Sequence, residues 1–271
     1  MKFKRIYIEI TNICNMNCSF CSKISRTPHE MSSAEFSHIL NDVKNYTEHI
    51  YLHVKGETLA HSEIDKILTI CDNTNINVNI TTNGTLLCKN KEMLKKHSSI
   101  RQMNISLHGS ENPVTSAKYA DDILSSAAEL KKYFMISLRL WTLDSKIEAN
   151  NIIINKLKDK YMIDLSKKRA VLEENIFLSL AQTFEWPSLS LPDYGEKGFC
   201  LGTRTQLAIL SNGDVVPCCL DADGEIVFGN IFKSTLSQIL ETRRYKTMYN
   251  SLSERKLSEK LCRHCSYRLR F

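Results

Sequence analysis

The sequence predicts an α/β fold in which six strand–helix units form a partial barrel, followed by a small C-terminal domain. Short apolar segments alternate with amphipathic helical segments through residue 181. The connections between these segments are short, which favours a parallel sheet with right-handed crossovers and a barrel or an open barrel segment. An open doubly wound sheet is the alternative fold.

Each element of this alternation follows from a local pattern. Strands are predicted from apolar runs at residues 6–10, 49–54, 76–81, 100–107, 134–140 and 175–181. The first helix is capped by Ser32 or Ser33 and ends near Tyr46. The other helices of this region are predicted at residues 62–72, 89–97, 115–132 and 146–160.

The alternation stops at residues 184–198, where two prolines and two glycines indicate a boundary. Residues 1–185 are therefore assigned to the first domain and residues 186–271 to the second. In the second domain, residues 204–219 predict a hairpin whose turn contains the dipeptide Asn212-Gly213. A helix is predicted near residues 235–249.

The composition is that of a soluble globular protein, with 42% hydrophobic and 24% charged residues. No apolar run is long enough to cross a bilayer, so we expect a cytoplasmic protein without a membrane partner. The net charge is +6, but lysine and arginine are spread along the chain. This spread favours a solvated basic surface over a nucleic-acid partner.

Ten cysteines in a cytosolic chain are not expected to form disulfides, since that compartment keeps thiols reduced. Most of them fall into two groups. The N-terminal group is Cys14, Cys18 and Cys21, and the C-terminal group is Cys200, Cys218, Cys219, Cys262 and Cys265. For Cys71 and Cys88, which lie between the groups, a role as small buried hydrophobes is predicted.

Polar or glycine-rich residues follow five successive predicted strands. They are the N-terminal cysteine loop, Lys55-Gly56-Glu57-Thr58, Thr81-Thr82-Asn83-Gly84, Ser106-Leu107-His108-Gly109 and Arg139. In such folds the carboxyl ends of the strands carry the active site, so these groups predict a common pocket.

The spacing C-x3-C-x2-C suits a loop that wraps one metal centre. Three thiolates around a [4Fe–4S] cluster leave one iron without a protein ligand, and catalytic metal centres need such an open position. The alternatives are a zinc site with a distant fourth ligand, or free thiols.

The segment CNMNCSFC, with Phe20 before the last cysteine, resembles the signature of the radical S-adenosylmethionine (SAM) superfamily. The resemblance covers residues 1 to about 185 and implies a partial (β/α)6 TIM-type barrel. It implies that SAM binds the open iron and that an electron from the cluster splits SAM into methionine and a 5′-deoxyadenosyl radical. A reductant such as flavodoxin or ferredoxin is implied as a partner.

The same resemblance implies SAM contacts at Phe20, Gly56, Glu57, Thr82, Asn83, Ser106 and Arg139. Residues 55–58 resemble a Gly-Gly-Glu-Pro element, from which Lys55 and Thr58 depart. A carboxylate such as Glu57 suits the SAM ammonium, although an acidic helix cap is the alternative role. Arg139 suits the methionine carboxylate. No catalytic base is assigned.

Four C-terminal cysteines, Cys200, Cys218, Cys262 and Cys265, have the spacing C-x17-C-x43-C-x2-C. This arrangement resembles the truncated SPASM, or twitch, domain of aminocyclitol dehydrogenases and peptide-modifying enzymes, which implies one auxiliary [4Fe–4S] cluster. Zinc is the alternative metal. Neighbouring residues of a strand point to opposite faces, and the family pattern favours Cys218 over Cys219 as the ligand.

The resemblance therefore predicts an enzyme that abstracts hydrogen from its substrate and oxidises the resulting radical with help from the auxiliary cluster. Since the barrel begins at once, we expect a small molecule or a bare peptide as substrate. The alternatives are a maturase of ribosomally made peptides, an RNA-modifying radical SAM enzyme and a non-enzymatic iron–sulfur electron carrier.

Overall fold

The computed structural model describes residues 2–23, 25–108, 112–144 and 148–270. The chain forms two compact units. The terminal unit comprises residues 1–13, 22–56 and 184–271, and the central unit comprises residues 14–21 and 57–183.

The strands are β1 (Arg5–Ile8), β2 (His49–Tyr51), β3 (Asn77–Thr82), β4 (Ile100–Ser106), β5 (Met135–Leu140), β6 (Arg169–Glu173), β7 (Ile176–Leu180), β8 (Gln206–Ile209), β9 (Asp214–Val216) and β10 (Gly229–Asn230). The α-helices are α1 (Ser33–Val43), α2 (Ile64–Thr74), α3 (Leu87–Leu94), α4 (Pro113–Leu130), α5 (Glu148–Tyr161), α6 (Leu236–Leu240), α7 (Arg243–Ser253) and α8 (Lys260–Arg263). Short 3-10 helices span Thr58–Ala60 and Ser266–Arg270.

The central unit contains a sheet of order β3-β4-β5-β7-β6. Its strands are parallel except for β6, which runs antiparallel to β7. The sequence predicted β7 but missed β6, which joins β7 through a turn with Asn175 at a φ of 61°. Asparagine tolerates this left-handed conformation better than most residues. The first two residues of the predicted helix 146–160 lie outside the described residues.

The terminal unit contains strands in the order β10-β9-β8-β1-β2. The predicted hairpin is present as β8 and β9, with Gly213 in its turn at a φ of 86°. Strand β8 also pairs in parallel with β1, from Arg5 opposite Gln206 to Ile8 opposite Ile209. The local patterns of the two segments did not predict this pairing. The predicted domain division at residues 185 and 186 stays a prediction, although the chain passes from one unit to the other at Phe184.

Local capping explains several helix boundaries. Ser32 caps α1 through a capping box with Glu35, as one of the two predicted caps. The single helix predicted at 235–249 is wrong, because it is divided into α6 and α7. The backbone is extended at Thr242, the N-cap residue of α7, and the Thr242 hydroxyl donates to the carbonyl oxygen of Ile239 in α6.

The mixed α/β fold with mainly parallel strands confirms the predicted fold class. Strands β3 to β5 carry fully buried apolar side chains, among them Val78, Ile80, Met103, Ile105 and Leu138. In the described ranges, no helix combines the length and apolar character that crossing a membrane requires.

Candidate metal centres

The N-terminal cysteine loop lies in the central unit and presents its thiols at the surface. Cys14 and Cys21 are exposed and Cys18 is half-buried. Cys71 is buried in the core as predicted, but the same prediction for Cys88 is wrong because Cys88 is exposed. The backbone N–H of Cys21 donates to the carbonyl oxygen of Cys18 at 3.2 Å, which folds the loop back on itself. Burial raises the pKa of Cys14, and the Glu57 carboxylate and the Cys21 thiol raise it further.

Asn83, at the carboxyl end of β3, orients its side-chain amide toward this loop. Its Nδ2 lies 3.8 Å from Cys14 Sγ and 2.9 Å from Asn15 Oδ1. Its Oδ1 accepts from the Thr85 backbone N–H at 3.0 Å and from the Thr85 hydroxyl at 2.6 Å. Because Oδ1 faces two donors, the amide NH2 group must face Cys14. The predicted contact of Asn83 with SAM stays a prediction.

Glu57 is buried, with 1% of its surface exposed. Its Oε1 accepts from the Leu59 N–H at 3.0 Å and from the Thr82 hydroxyl at 2.5 Å, and its Oε2 accepts from the Asn83 N–H at 2.6 Å. Burial raises the pKa of Glu57, against the effect of these donors. The carboxylate thus caps the 3-10 helix Thr58–Ala60, which was the alternative role. Its predicted role at the SAM ammonium stays a prediction.

Gly56 approaches the backbone that leads into the cysteine loop. Its φ is 75°, and a Cβ at this position would lie 2.3 Å from the carbonyl oxygen of Thr11 and 3.0 Å from that of Ile13. Only glycine combines this left-handed conformation with such a close approach.

Lys55, which departs from the family pattern, is almost fully buried in the terminal unit. Its Nζ donates to the carbonyl oxygen of Ser22 at 3.0 Å and to the Ser22 hydroxyl at 2.6 Å. The same ammonium lies 3.4 Å from the centroid of the Trp186 ring. Lys55 therefore holds Ser22, the residue that directly follows Cys21, against Trp186.

Glu9, at the end of β1, was missed by the sequence reasoning although it is completely buried. Its two oxygens accept from Arg26 Nη2 at 2.8 and 2.7 Å. They also accept from the backbone N–H groups of Lys55 and Ser211, both at 3.0 Å. The available signal was the single charge within the apolar segment 6–10.

Strand register links the ends of β4 and β5, and the part-buried hydroxyl of Tyr119 links the ends of β3 and β4. Ser106 pairs with Arg139 across the two strands. The hydroxyl of Tyr119 lies 2.7 Å from the carbonyl oxygen of Ser106 and 2.6 Å from that of Asn83. Arg139 Nη2 donates to Asn104 Oδ1 at 2.5 Å.

His108 lies beside Phe20 of the cysteine loop, with ring centroids 4.5 Å apart and the rings edge to face. Burial, together with the positive charge of Arg139, lowers the pKa of His108 to about 4. The imidazole is therefore neutral near pH 7. Gly109, the last residue of the predicted strand-four group, lies outside the described residues.

The terminal unit gathers four of the five C-terminal cysteines, Cys200, Cys218, Cys262 and Cys265. Burial raises the pKa of each thiol, and repulsion from the Cys200 thiol raises the pKa of the other three further. The Cys265 N–H donates to the carbonyl oxygen of Cys262 at 3.4 Å, which folds the C-x2-C segment.

Cys219 points elsewhere. It packs against the apolar cluster that includes Tyr7, Val54 and Val216. Burial raises the pKa of Tyr7, and a hydrogen bond and charge interaction with Cys219 raise it further. Cys218 as the cluster ligand stays a prediction.

The donor sets fit iron–sulfur clusters, since both consist of cysteine thiols alone. Among the residues whose placement is described, no three His, Cys, Asp or Glu side chains are grouped so that they could hold one metal ion. The zinc alternative for the C-terminal group stays open, because four thiolates also suit zinc.

Comparison with family models identifies two regions of the chain. Residues 8–144 match the model of the Radical SAM superfamily, and residues 200–266 match SPASM, an iron–sulfur cluster-binding domain. The GTP 3′,8-cyclase of Aquifex aeolicus is 26% identical over 179 residues, covering 60% of this chain and 52% of that protein. A probable GTP 3′,8-cyclase of Methanococcus vannielii is 28% identical over 167 residues, covering 59% and 54%. The chain thus spans about half the length of these curated relatives.

Solved structures share the fold over most of the chain. BtrN in complex with AdoMet and 2-DOIA has a TM-score of 0.65 at 18% identity, covering 98% of this chain and 94% of BtrN. SuiB of Streptococcus suis bound to S-adenosylmethionine has a TM-score of 0.57 at 16% identity, covering 92% of this chain and 68% of SuiB. At these identities the likeness concerns the fold.

Proposed function

Because the chain belongs to the radical SAM superfamily, we propose that it cleaves SAM reductively, abstracts hydrogen from a substrate and oxidises that substrate with help from one auxiliary cluster. The radical SAM domain implies a [4Fe–4S] cluster and SAM, and the SPASM domain implies an auxiliary iron–sulfur cluster. When bound, these groups supply a 5′-deoxyadenosyl radical and an electron acceptor for the substrate radical.

One observation carries the proposal. The central unit brings the surface thiols of the cysteine loop together with Glu57 and with the amide of Asn83 at the carboxyl end of β3. A structural metal site would enclose its ligands, whereas this loop leaves Cys14 and Cys21 exposed. An accessible three-thiolate centre can bind a further ligand.

The chain's own residues hold and orient the reactants. Cys14, Cys18 and Cys21 hold the N-terminal cluster. Gly56 lets the strand-two loop pack against the backbone before Cys14. The remaining predicted SAM contacts, Phe20, Glu57, Thr82, Asn83, Ser106 and Arg139, stay assigned to SAM in this proposal.

The four-cysteine group of the terminal unit holds the auxiliary cluster through Cys200, Cys218, Cys262 and Cys265. With four protein ligands, this cluster has no position for substrate. We assign the auxiliary cluster to electron transfer. The substrate then loses a hydrogen atom and afterwards an electron, which together make a two-electron oxidation.

The substrate class is a small molecule or a peptide, and the reductant is a flavodoxin or ferredoxin. Both substrate classes occur in complexes that share this fold: BtrN was solved with 2-DOIA and SuiB with the precursor peptide SuiA. Incubation with deuterium-labelled candidates decides between them, because transferred deuterium appears in 5′-deoxyadenosine.

The decisive test is SAM cleavage by anaerobically reconstituted protein with dithionite, followed by chromatography and mass spectrometry. We expect 5′-deoxyadenosine from the native chain and none from Cys18→Ala. Cys88→Ala is the matched control, because Cys88 is an exposed cysteine on α3 outside both groups. Cleavage that persists in Cys18→Ala refutes the assignment of the cysteine loop.

Iron analysis tests the auxiliary cluster separately. Two [4Fe–4S] clusters contain about eight iron atoms per chain. We expect Cys262→Ala to lose about half of this iron and to keep SAM cleavage. Native protein that holds zinc in place of half its iron contradicts the auxiliary cluster.

A further inference from the structure

The segment after Cys265 places an arginine in the interior of the terminal unit. Arg268 lies in the 3-10 helix Ser266–Arg270 and is 6% exposed. Its Nη1 donates to the carbonyl oxygen of Lys197 at 3.0 Å, and its Nη2 donates to those of Tyr194 at 2.7 Å and Gly195 at 2.9 Å. Three neutral acceptors thus surround a cation that is removed from water.

The loop that supplies these carbonyl groups is shaped around the guanidinium. A Cβ at Gly198 would lie 2.3 Å from Arg268 Nη1, so a side chain at this position would displace the guanidinium. Two residues later the loop reaches Cys200. Arg268 therefore links the segment before Cys200 to the segment after Cys265.

In the described part of the chain, no carboxylate forms an ion pair with Arg268, and its buried Nε has no hydrogen-bond partner. Arg263, five residues earlier, behaves differently, since it pairs with Asp193 and Glu196 at the surface. An unpaired buried charge is costly, because carbonyl dipoles replace only part of its hydration. The arrangement calls for an anion nearby.

The cysteine group supplies that anion when it is loaded. Arg268 follows Cys265 by three residues, and its bonds to Gly195 and Lys197 hold the guanidinium beside the loop that leads to Cys200. Four thiolates around a [4Fe–4S] cluster carry net negative charge, which grows by one unit when the cluster is reduced. A buried cation stabilises the reduced cluster more than the oxidised cluster, because the reduced cluster carries more negative charge. Little solvent is present to screen this attraction.

We propose that Arg268 is the buried counter-cation of the auxiliary cluster and raises its reduction potential, so that the cluster accepts electrons from the substrate radical. The inference rests on the auxiliary cluster of the proposed function and adds the residue that sets its reduction potential. The substrate radical loses one electron to the cluster and one proton to water. The oxidised form of an external flavodoxin or ferredoxin would then take the electron and return the cluster to its oxidised state. Arg268 acts through the cluster, as a positioning residue.

The test compares Arg268→Met, Arg268→Lys and the control Arg263→Met in the full reconstituted chain, by redox titration followed with electron paramagnetic resonance. The N-terminal cluster is recognised by the change of its signal on adding SAM, and the other signal reports the auxiliary cluster. At the native midpoint potential, we expect Arg268→Met to decrease the ratio of reduced to oxidised auxiliary cluster tenfold or more, which is about 59 mV for one electron. We expect Arg268→Lys to stay within about threefold of native, since it keeps the charge.

We expect Arg263→Met to leave the auxiliary midpoint unchanged, and all variants to keep the N-terminal midpoint. A native midpoint in Arg268→Met overturns the inference, and so does a decrease in Arg268→Lys as large as that in Arg268→Met. If Arg268→Met fails to assemble the cluster, the lysine variant decides. Assembly with a native midpoint supports the role of charge, and failure to assemble shows a packing role and overturns it. Native protein that lacks the auxiliary iron refutes the proposed function itself. That outcome is independent of the midpoint potentials of the Arg268 variants.

Discussion

Replacing Gly56 by alanine tests the close approach of the strand-two loop to the backbone before the cysteine loop. The new Cβ would lie 2.3 Å from the carbonyl oxygen of Thr11 and 3.0 Å from that of Ile13, with φ at 75°. The left-handed conformation costs about 1–2 kcal/mol for a residue with a Cβ. Forcing an extra methyl group into packed backbone costs about 1–3 kcal/mol more.

The free energy of unfolding should therefore decrease by about 2–5 kcal/mol in Gly56→Ala, a large share of the usual 5–15 kcal/mol. Gly195→Ala is the matched control. Its φ is 88°, and a Cβ there would meet no atom within 4 Å. It should lose only about 1–2 kcal/mol, the conformational part of the cost.

Urea unfolding followed by circular dichroism measures both variants, with the slope against denaturant checked for equality. Iron analysis adds a local readout. We expect Gly56→Ala to lose iron from the N-terminal cluster because Thr11 and Ile13 must move, and to keep the auxiliary cluster. Equal losses of stability in the two variants would falsify the reasoning, since the contact with Thr11 would then contribute nothing.

Three further predictions concern polar side chains of the two units. Arg26→Met leaves the Glu9 carboxylate buried without its ion pair and should cost about 3–5 kcal/mol in urea unfolding; Glu9→Gln in the same chain should restore much of it, and no recovery contradicts the pairing. The pKa of His108, lowered from 6.5 to about 4, means that its contribution to stability is complete above pH 6.5 and is lost as pH falls toward 4. The free energy of unfolding should decrease by about 3 kcal/mol over this pH range, and this decrease should be absent in His108→Phe. An NMR titration of His108 with a midpoint near 6.5 refutes the lowered pKa. Asn83→Asp removes the amide N–H that faces Cys14, so the midpoint potential of the N-terminal cluster should fall in a redox titration, and an unchanged midpoint contradicts this donor role.

Much of the fold could be predicted because its signals are local. Apolar runs and nearby caps such as Ser32 specify most strands and helices without distant information. Strand β6 escaped prediction because its five side chains are half-buried or exposed and show no apolar alternation. The pairing of β8 with β1 escaped because the register between strands about 200 residues apart leaves no trace in either segment.

The residues of the candidate sites also divide into those with a local signal in the sequence and those that depend on distant contacts. The cysteines of both groups were found because their number and spacing are visible in the chain. Glu57 was singled out by resemblance. Only the structure shows that its carboxylate oxygens accept hydrogen bonds from the Thr82 hydroxyl and the Asn83 N–H. Arg268 was missed because its burial depends on carbonyl groups more than 70 residues away. Backbone acceptors have no signature in the amino-acid sequence.

The bonds of Glu9 bear on how the nascent chain matures. One carboxylate oxygen accepts from the amide of Ser211, 202 positions further along. At ribosomal speeds of about 5–20 residues per second, that donor emerges about 10–40 s after Glu9 itself. Until then the first strand contains an acidic side chain that has no finished pocket to enter. The residues around Glu9 must therefore wait, hydrated or shielded by a chaperone, until Ser211 has been translated.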